Sequence, residues 1–210
     1  MRSLKGFLYE VAPVLGMTGG ALYERQRALV KLGALESVPG RGRRTGVELT
    51  AESFAAVLIS VLAAEGWSDV DERVVALFKA PFGGYGTRKR SADTERRFHR
   101  ADFLGVVAKA FAGTLKIGAM TLEFEPSAGA MPARVVEIRV SRVWRGQIVV
   151  VPETAFERRQ NNVNNYFVRN IDGHAVPRPP VSITAEIEEE TFSKLAQMFR
   201  DAIRQPVESE

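Results

Sequence analysis

The sequence predicts an α+β fold, and three observations predict it. Apolar residues recur at helical spacing through most of the first 116 positions. From Met120 the apolar period falls to two, as in strands, until a last helical stretch before the C-terminus. Glycine and proline fall between these stretches and divide them. The expected organisation is an N-terminal module over residues 1–65, a helical and basic-loop connecting region over 66–118, and a C-terminal module over 119–210. The last is expected to be an antiparallel sheet with a terminal helix.

The first helix is expected over 3–15, where Leu4, Phe7, Leu8, Val11, Ala12 and Leu15 share one side and Ser3 is its N-cap. Pro13 disturbs its end and Gly16 stops it. Thr18 caps a second helix, running to about 32 with Leu22, Leu29 and Leu32 inward, and Gly33 ends it. Residues 34–38 and 47–49 read as short strands around the basic turn Pro39-Gly40-Arg41-Gly42-Arg43-Arg44-Thr45-Gly46, which together make a β-hairpin. Thr50 caps a third helix, apolar nearly all round through Phe54, Val57, Leu58, Val61 and Leu62. A short fourth helix covers 71–79. Residues 81–98 are expected to be a long loop. Residues 100–116 resume helical spacing through Phe103, Val107 and Phe111. Strands are expected over 121–125, 134–144, 147–151, 166–168 and 181–187, with a turn at Arg145-Gly146. A final helix spans about 190–203.

Composition removes several kinds of chemistry. Of the 210 residues 45% are hydrophobic, enough to bury a core, and none is cysteine, so disulfides, Cys-based zinc sites and thiol nucleophiles are excluded. His99 and His174 are the two histidines and lack the i, i+4 spacing of a helical metal site. No metal and no cofactor is expected. The longest mostly apolar run, 54–64, falls short of the roughly 20 residues a membrane span needs. No secretory signal is visible at the N-terminus. The expected location is the cytoplasm.

The formal net charge is +4, unevenly distributed. Residues 1–50 carry 8 basic and 4 acidic side chains, whereas 51–75 carry 1 and 5. Residues 76–118 carry 9 and 3, and 119–210 carry 11 and 13. Clustered basic charge is the footprint of a nucleic-acid binder, or of a plainly solvated face.

The order helix, tight turn, helix, short strand, basic glycine-rich loop, short strand is the winged helix-turn-helix plan. Through Val14-Leu15-Gly16-Met17-Thr18 and on to Gly33-Ala34-Leu35-Glu36-Ser37-Val38, the segment resembles the DNA-binding half of bacterial winged-helix transcriptional regulators. The resemblance covers about residues 3–50 and does not single out one family. It implies a sequence-specific, double-stranded-DNA-binding transcriptional regulator, bacterial or prophage-like and nucleoid-associated. Such a protein binds paired half-sites as a homodimer and can contact a protein partner such as the transcription machinery.

On that plan the second helix offers Thr18, Gly19, Gly20, Tyr23, Glu24, Arg27 and Lys31 to the major groove. Gly19 and Gly20 let the backbone approach a phosphate or base edge, and Arg27 can reach a phosphate or pair with guanine. Arg41, Arg43 and Arg44 form a basic wing suited to phosphates or a narrow minor groove. Gln26 departs from the pattern, standing where such helices bury an apolar residue. Arg88, Lys89 and Arg90 are a possible second basic surface. The candidate dimerisation helices are 54–64 and 191–203, each of which could equally be intramolecular core.

Other motifs carry less. Phe82-Gly83-Gly84-Tyr85-Gly86 lacks the Lys-Ser/Thr of a P-loop, and Gly-x-Ser-x-Gly is absent. Glu186, Glu188, Glu189 and Glu190 read as a strand face and the first turn of the last helix. Trp67 and Trp144 read as packing residues. The polar run 161–165 stays undecided. No catalytic constellation emerges, so the chain is not expected to be an enzyme. A phage DNA-packaging protein of the small-terminase kind or a replication accessory protein is the alternative. An enzyme built on the C-terminal module is a lower one.

Overall fold

The computed structural model describes residues 2–38, 46–80, 82–85, 102–117, 120–122, 131–141, 145–152, 162–167 and 184–204. The fold is α+β. Helix α1 (Leu4–Val11) buries Leu4, Phe7, Leu8 and Val11. It does not continue to residue 15. Pro13 has no N–H to give an α-helix, and the chain tightens into a 3-10 turn, Ala12–Leu15, with Pro13 in its first positions. Gly16, at φ 62°, turns the chain out of it. Helix α2 (Gly19–Lys31) begins at Thr18, whose hydroxyl accepts from the Ala21 N–H at 3.2 Å. Its end is a paired closure around Gly33 at φ 68°: Gly33 N–H bonds Val30 C=O at 3.0 Å and Ala34 N–H bonds Leu29 C=O at 2.9 Å.

Helix α3 (Ala51–Ala63) starts with a reciprocal cap, Thr50 and Ser53 each accepting from the other's backbone N–H at 3.0 and 2.9 Å. A 3-10 turn at Trp67–Asp69 leads to helix α4 (Glu72–Phe78), capped by Asp71. Helix α5 (Phe103–Ala112) is capped by Asp102, which accepts from Gly105 N–H at 2.7 Å.

The strands are β1 (Phe82–Tyr85), β2 (Leu115–Ile117), β3 (Met120–Leu122), β4 (Met131–Ser141), β5 (Arg145–Pro152), β6 (Asn162–Phe167) and β7 (Thr184–Glu188). They form one sheet in the order β1-β6-β5-β4-β3-β2, with β7 also paired to β4. All pairs are antiparallel except β3 with β4, which corrects the fully antiparallel expectation. Two local readings are also corrected: residues 82–85 are a strand on β6 rather than loop, and Arg145-Gly146 lies within β5 rather than in a turn. The polar run around 161–165, undecided from the sequence, lies mostly within β6. Helix α6 (Glu189–Arg204) closes the described chain, with Glu189 and Glu190 in its first turn as expected.

One buried cluster joins these parts. Phe54 on α3 lies 5.0 Å from Phe7 on α1, 4.9 Å from Phe111 on α5 and 6.0 Å from Phe199 on α6, ring centre to ring centre. The core therefore crosses the expected boundaries after residues 65 and 118. It also occupies both candidate dimerisation helices: α3 is buried almost throughout, and α6 turns Phe192, Leu195, Ala196, Phe199 and Ala202 inward.

Candidate nucleic-acid interface

Three backbone segments meet at the N-terminal end. Ser3 bridges Glu48, and Val38 bridges Gly46. Leu4 N–H donates to Val47 C=O and Leu49 N–H to Arg2 C=O, each at 2.9 Å. The returning segment 46–49 is thus pinned between the start of α1 and the segment after α2. Arg41, Arg43 and Arg44 lie between the two bridged residues in sequence and outside the described residues, as do Arg88, Lys89 and Arg90.

The α2 candidates are partly as expected. Leu22 and Leu29 are fully buried, and the opposite side carries Gly20, Arg27 and Lys31 in the open, with Tyr23 and Glu24 half-buried. Thr18 is exposed and occupied as the cap. Gly19 is corrected. A methyl group there would sit 2.3 Å from the Tyr9 ring, so that ring covers the backbone and closes the approach expected at this glycine. Gly20 has nothing within 4 Å of the same point and remains open. Glu24 takes up Arg27 in an ion pair at 3.0 Å, so the Arg27 guanidinium is shared rather than free.

Two residues that the helical stripe of leucines concealed matter here. Arg25 is 2% exposed. It donates to Ser60 C=O at 2.8 Å, Ala64 C=O at 3.0 Å and Glu65 C=O at 2.8 Å. Ser60 C=O also takes the Ala64 N–H at 3.1 Å, while the Ala64 and Glu65 carbonyls lie beyond the last turn of α3, so Arg25 serves as the cap. Its spacing from Leu22 and Leu29 already placed it on the inward side. Lys5, on α1, holds its ammonium 4.4 Å from the centre of the Tyr23 ring, extending the cationic character of α2 onto the neighbouring helix. Gln26 is buried as its position demanded, with Oε1 lacking a hydrogen-bond partner.

Along its other edge α2 faces the Trp67–Asp69 turn and the start of α4 across a cleft of about 790 Å³. Trp67 is not a packing residue: it stands 54% exposed at this cleft. Asp71 caps α4 and accepts from the Arg73 Nε–H at 2.8 Å. That side-chain hydrogen bond holds the Asp71 carboxyl below its ordinary range and pushes Arg73 up.

Among the described residues no group of three or more His, Cys, Asp or Glu is placed to hold a metal ion, and His99, His174 and Trp144 lie outside them. No described helix is long and apolar enough to cross a membrane. Comparison with protein families, with curated proteins and with solved structures finds no match to this chain.

Proposed function

We propose that the chain is a sequence-specific, double-stranded-DNA-binding transcriptional regulator with an N-terminal winged helix-turn-helix. The observation that carries this reading is the arrangement around α2. The helix follows a tight Gly16 turn, buries Leu22 and Leu29, and leaves Gly20, Arg27 and Lys31 outward. Beside it, the Val38–Gly46 bridge brackets a segment with three arginines in four positions. A helix with one side buried and the other open is what major-groove entry requires, and a basic hairpin beside it suits phosphates.

Lys5 on α1, with its ammonium over the Tyr23 ring, adds cationic charge beside the outward side of α2. Two copies bind paired half-sites, and the protein acts at the nucleoid.

Fluorescence anisotropy with random-sequence duplex, followed across salt concentration, tests this. The wild type binds at low salt. Replacing Arg41, Arg43 and Arg44 together by Ala removes up to about 2.7 units of the salt slope, at roughly 0.9 per phosphate contact. Unchanged binding by the triple variant overturns the wing assignment, and absence of wild-type binding at low salt overturns the function.

A further inference from the structure

Arg2 stands between the foot of the basic hairpin, α1 and α6. Its backbone C=O accepts from Leu49 N–H at 2.9 Å, beside the Leu4 N–H bond to Val47 C=O and the Ser3–Glu48 bridge. Segment 46–49 is thus held by residues 2–4. The Arg2 side chain reaches elsewhere. One terminal nitrogen donates to Ala202 C=O of α6 at 3.3 Å, and the other pairs with the Glu10 carboxylate of α1 at 2.5 Å. The guanidinium carbon lies 6.0 Å from the centre of the Phe7 ring, which meets Phe199 of α6 edge-on.

These contacts follow from the chemistry of a helix end. Ala202 lies in the last turn of α6, where carbonyls lack a helical N–H to accept. A cation there also meets the negative end of the helix dipole. A planar guanidinium serves a carbonyl and a carboxylate at once, as a compact ammonium does not. The side chain is 26% exposed and matched by Glu10, so it is engaged within the fold. A continuous path results: Ala202 carbonyl, Arg2 guanidinium, Arg2 carbonyl, Leu49 amide. It joins the last helix to the foot of the wing.

We propose that Arg2 is a positioning residue for the basic wing, tying its foot to the end of α6 and so coupling α6 to the grip on DNA. The inference rests on the DNA reading and adds a means of regulating it. A displacement of the α6 end slackens the wing while leaving the buried side of α2 in place. Arg2 acting only as a helix cap would affect binding through overall stability. Arg2 acting through the wing affects binding only while the wing's arginines are present.

A double-mutant cycle on duplex affinity, read by fluorescence anisotropy of the full chain at low salt, tests the coupling. Arg2→Met weakens duplex binding about fivefold. With Arg41, Arg43 and Arg44 already replaced by Ala, the same change costs less than about twofold, because the groups it acts through are gone. Arg2→Lys falls between, since an ammonium keeps one of the two side-chain partners. Hydrogen exchange without DNA reads the tie itself. In Arg2→Met the Leu4 and Leu49 amides speed up at least about fivefold beyond any change shared with α3. Undiminished binding by Arg2→Met, an equal loss in both backgrounds, or exchange at Leu4 and Leu49 that changes only as α3 does overturns the proposal. Absence of wild-type duplex binding overturns the DNA reading instead, and the exchange measurement then judges the tie alone.

Discussion

The Arg25 guanidinium donates to the Ser60 carbonyl at 2.8 Å, tying the middle of α2 to the end of α3. The same group reaches Ala64 and Glu65, so one side chain fixes both helix orientation and the chain's exit toward Trp67. Arg25→Met therefore destabilises the fold by about 2–3 kcal/mol, since the Ala64 and Glu65 carbonyls lose this donor, at about 1–3 kcal/mol for each buried acceptor so deprived, while Ser60 C=O keeps the Ala64 N–H. Arg25→Lys recovers only part of this, because a compact ammonium cannot span the three carbonyls as a planar fork does. Urea unfolding midpoints measure both.

Gly19 and Gly20 are adjacent and respond oppositely to alanine. Gly20→Ala has open space and stabilises α2 by up to about 1 kcal/mol. Gly19→Ala drives a methyl into the Tyr9 ring and destabilises. Adding Tyr9→Ala relieves the clash, giving a coupling of about 1 kcal/mol in a thermal-denaturation double-mutant cycle.

Phe54 touches aromatic rings from α1, α5 and α6. Phe54→Ala costs about 3–5 kcal/mol. Phe199→Ala, far along the chain, raises hydrogen exchange in α1 and α3 as well as in α6, because the four helices share that cluster. Exchange confined to α6 would contradict a shared core.

The Asp71 carboxylate is held below its ordinary range chiefly by Arg73. A lowered folded pKa means its stabilisation is complete above the ordinary carboxylate range and disappears as pH falls through the folded value. Asp71→Asn keeps an N-cap side chain and removes the charge. The wild-type melting temperature should exceed the variant's at neutral pH by a small margin and converge with it in acid. A margin that persists in acid would assign the effect to cap geometry instead.

The helices were legible because their ends are written locally. Thr18, Thr50 and Asp71 cap as their types dictate, and Gly16 and Gly33 stop as theirs do. The buried stripes followed from spacing alone. Phe82-Gly83-Gly84-Tyr85 carries no strand signal of its own and is a strand because β6 supplies its partners. The same holds for Arg145-Gly146, whose turn-like composition is overridden by pairing to β4 and β6. At the interface, the side presented by Arg27 and Lys31 was legible from phase. The covering of Gly19 by Tyr9, the exposure of Trp67 and the cleft itself depend on packing between elements, which spacing does not encode.

The ring cluster places Phe7 of α1 against Phe199 of α6, 6.1 Å apart though far separated in sequence. During synthesis the first helices leave the ribosome long before the last. Until α6 arrives, α1 and α3 present an unfilled apolar seat to solvent. The N-terminal helices can form early and yet not lock. A ribosome that stalls short of Phe199 leaves a chain with that seat open, a natural target for chaperones and proteases, so the emergence of α6 sets the time at which α1 and α3 lock.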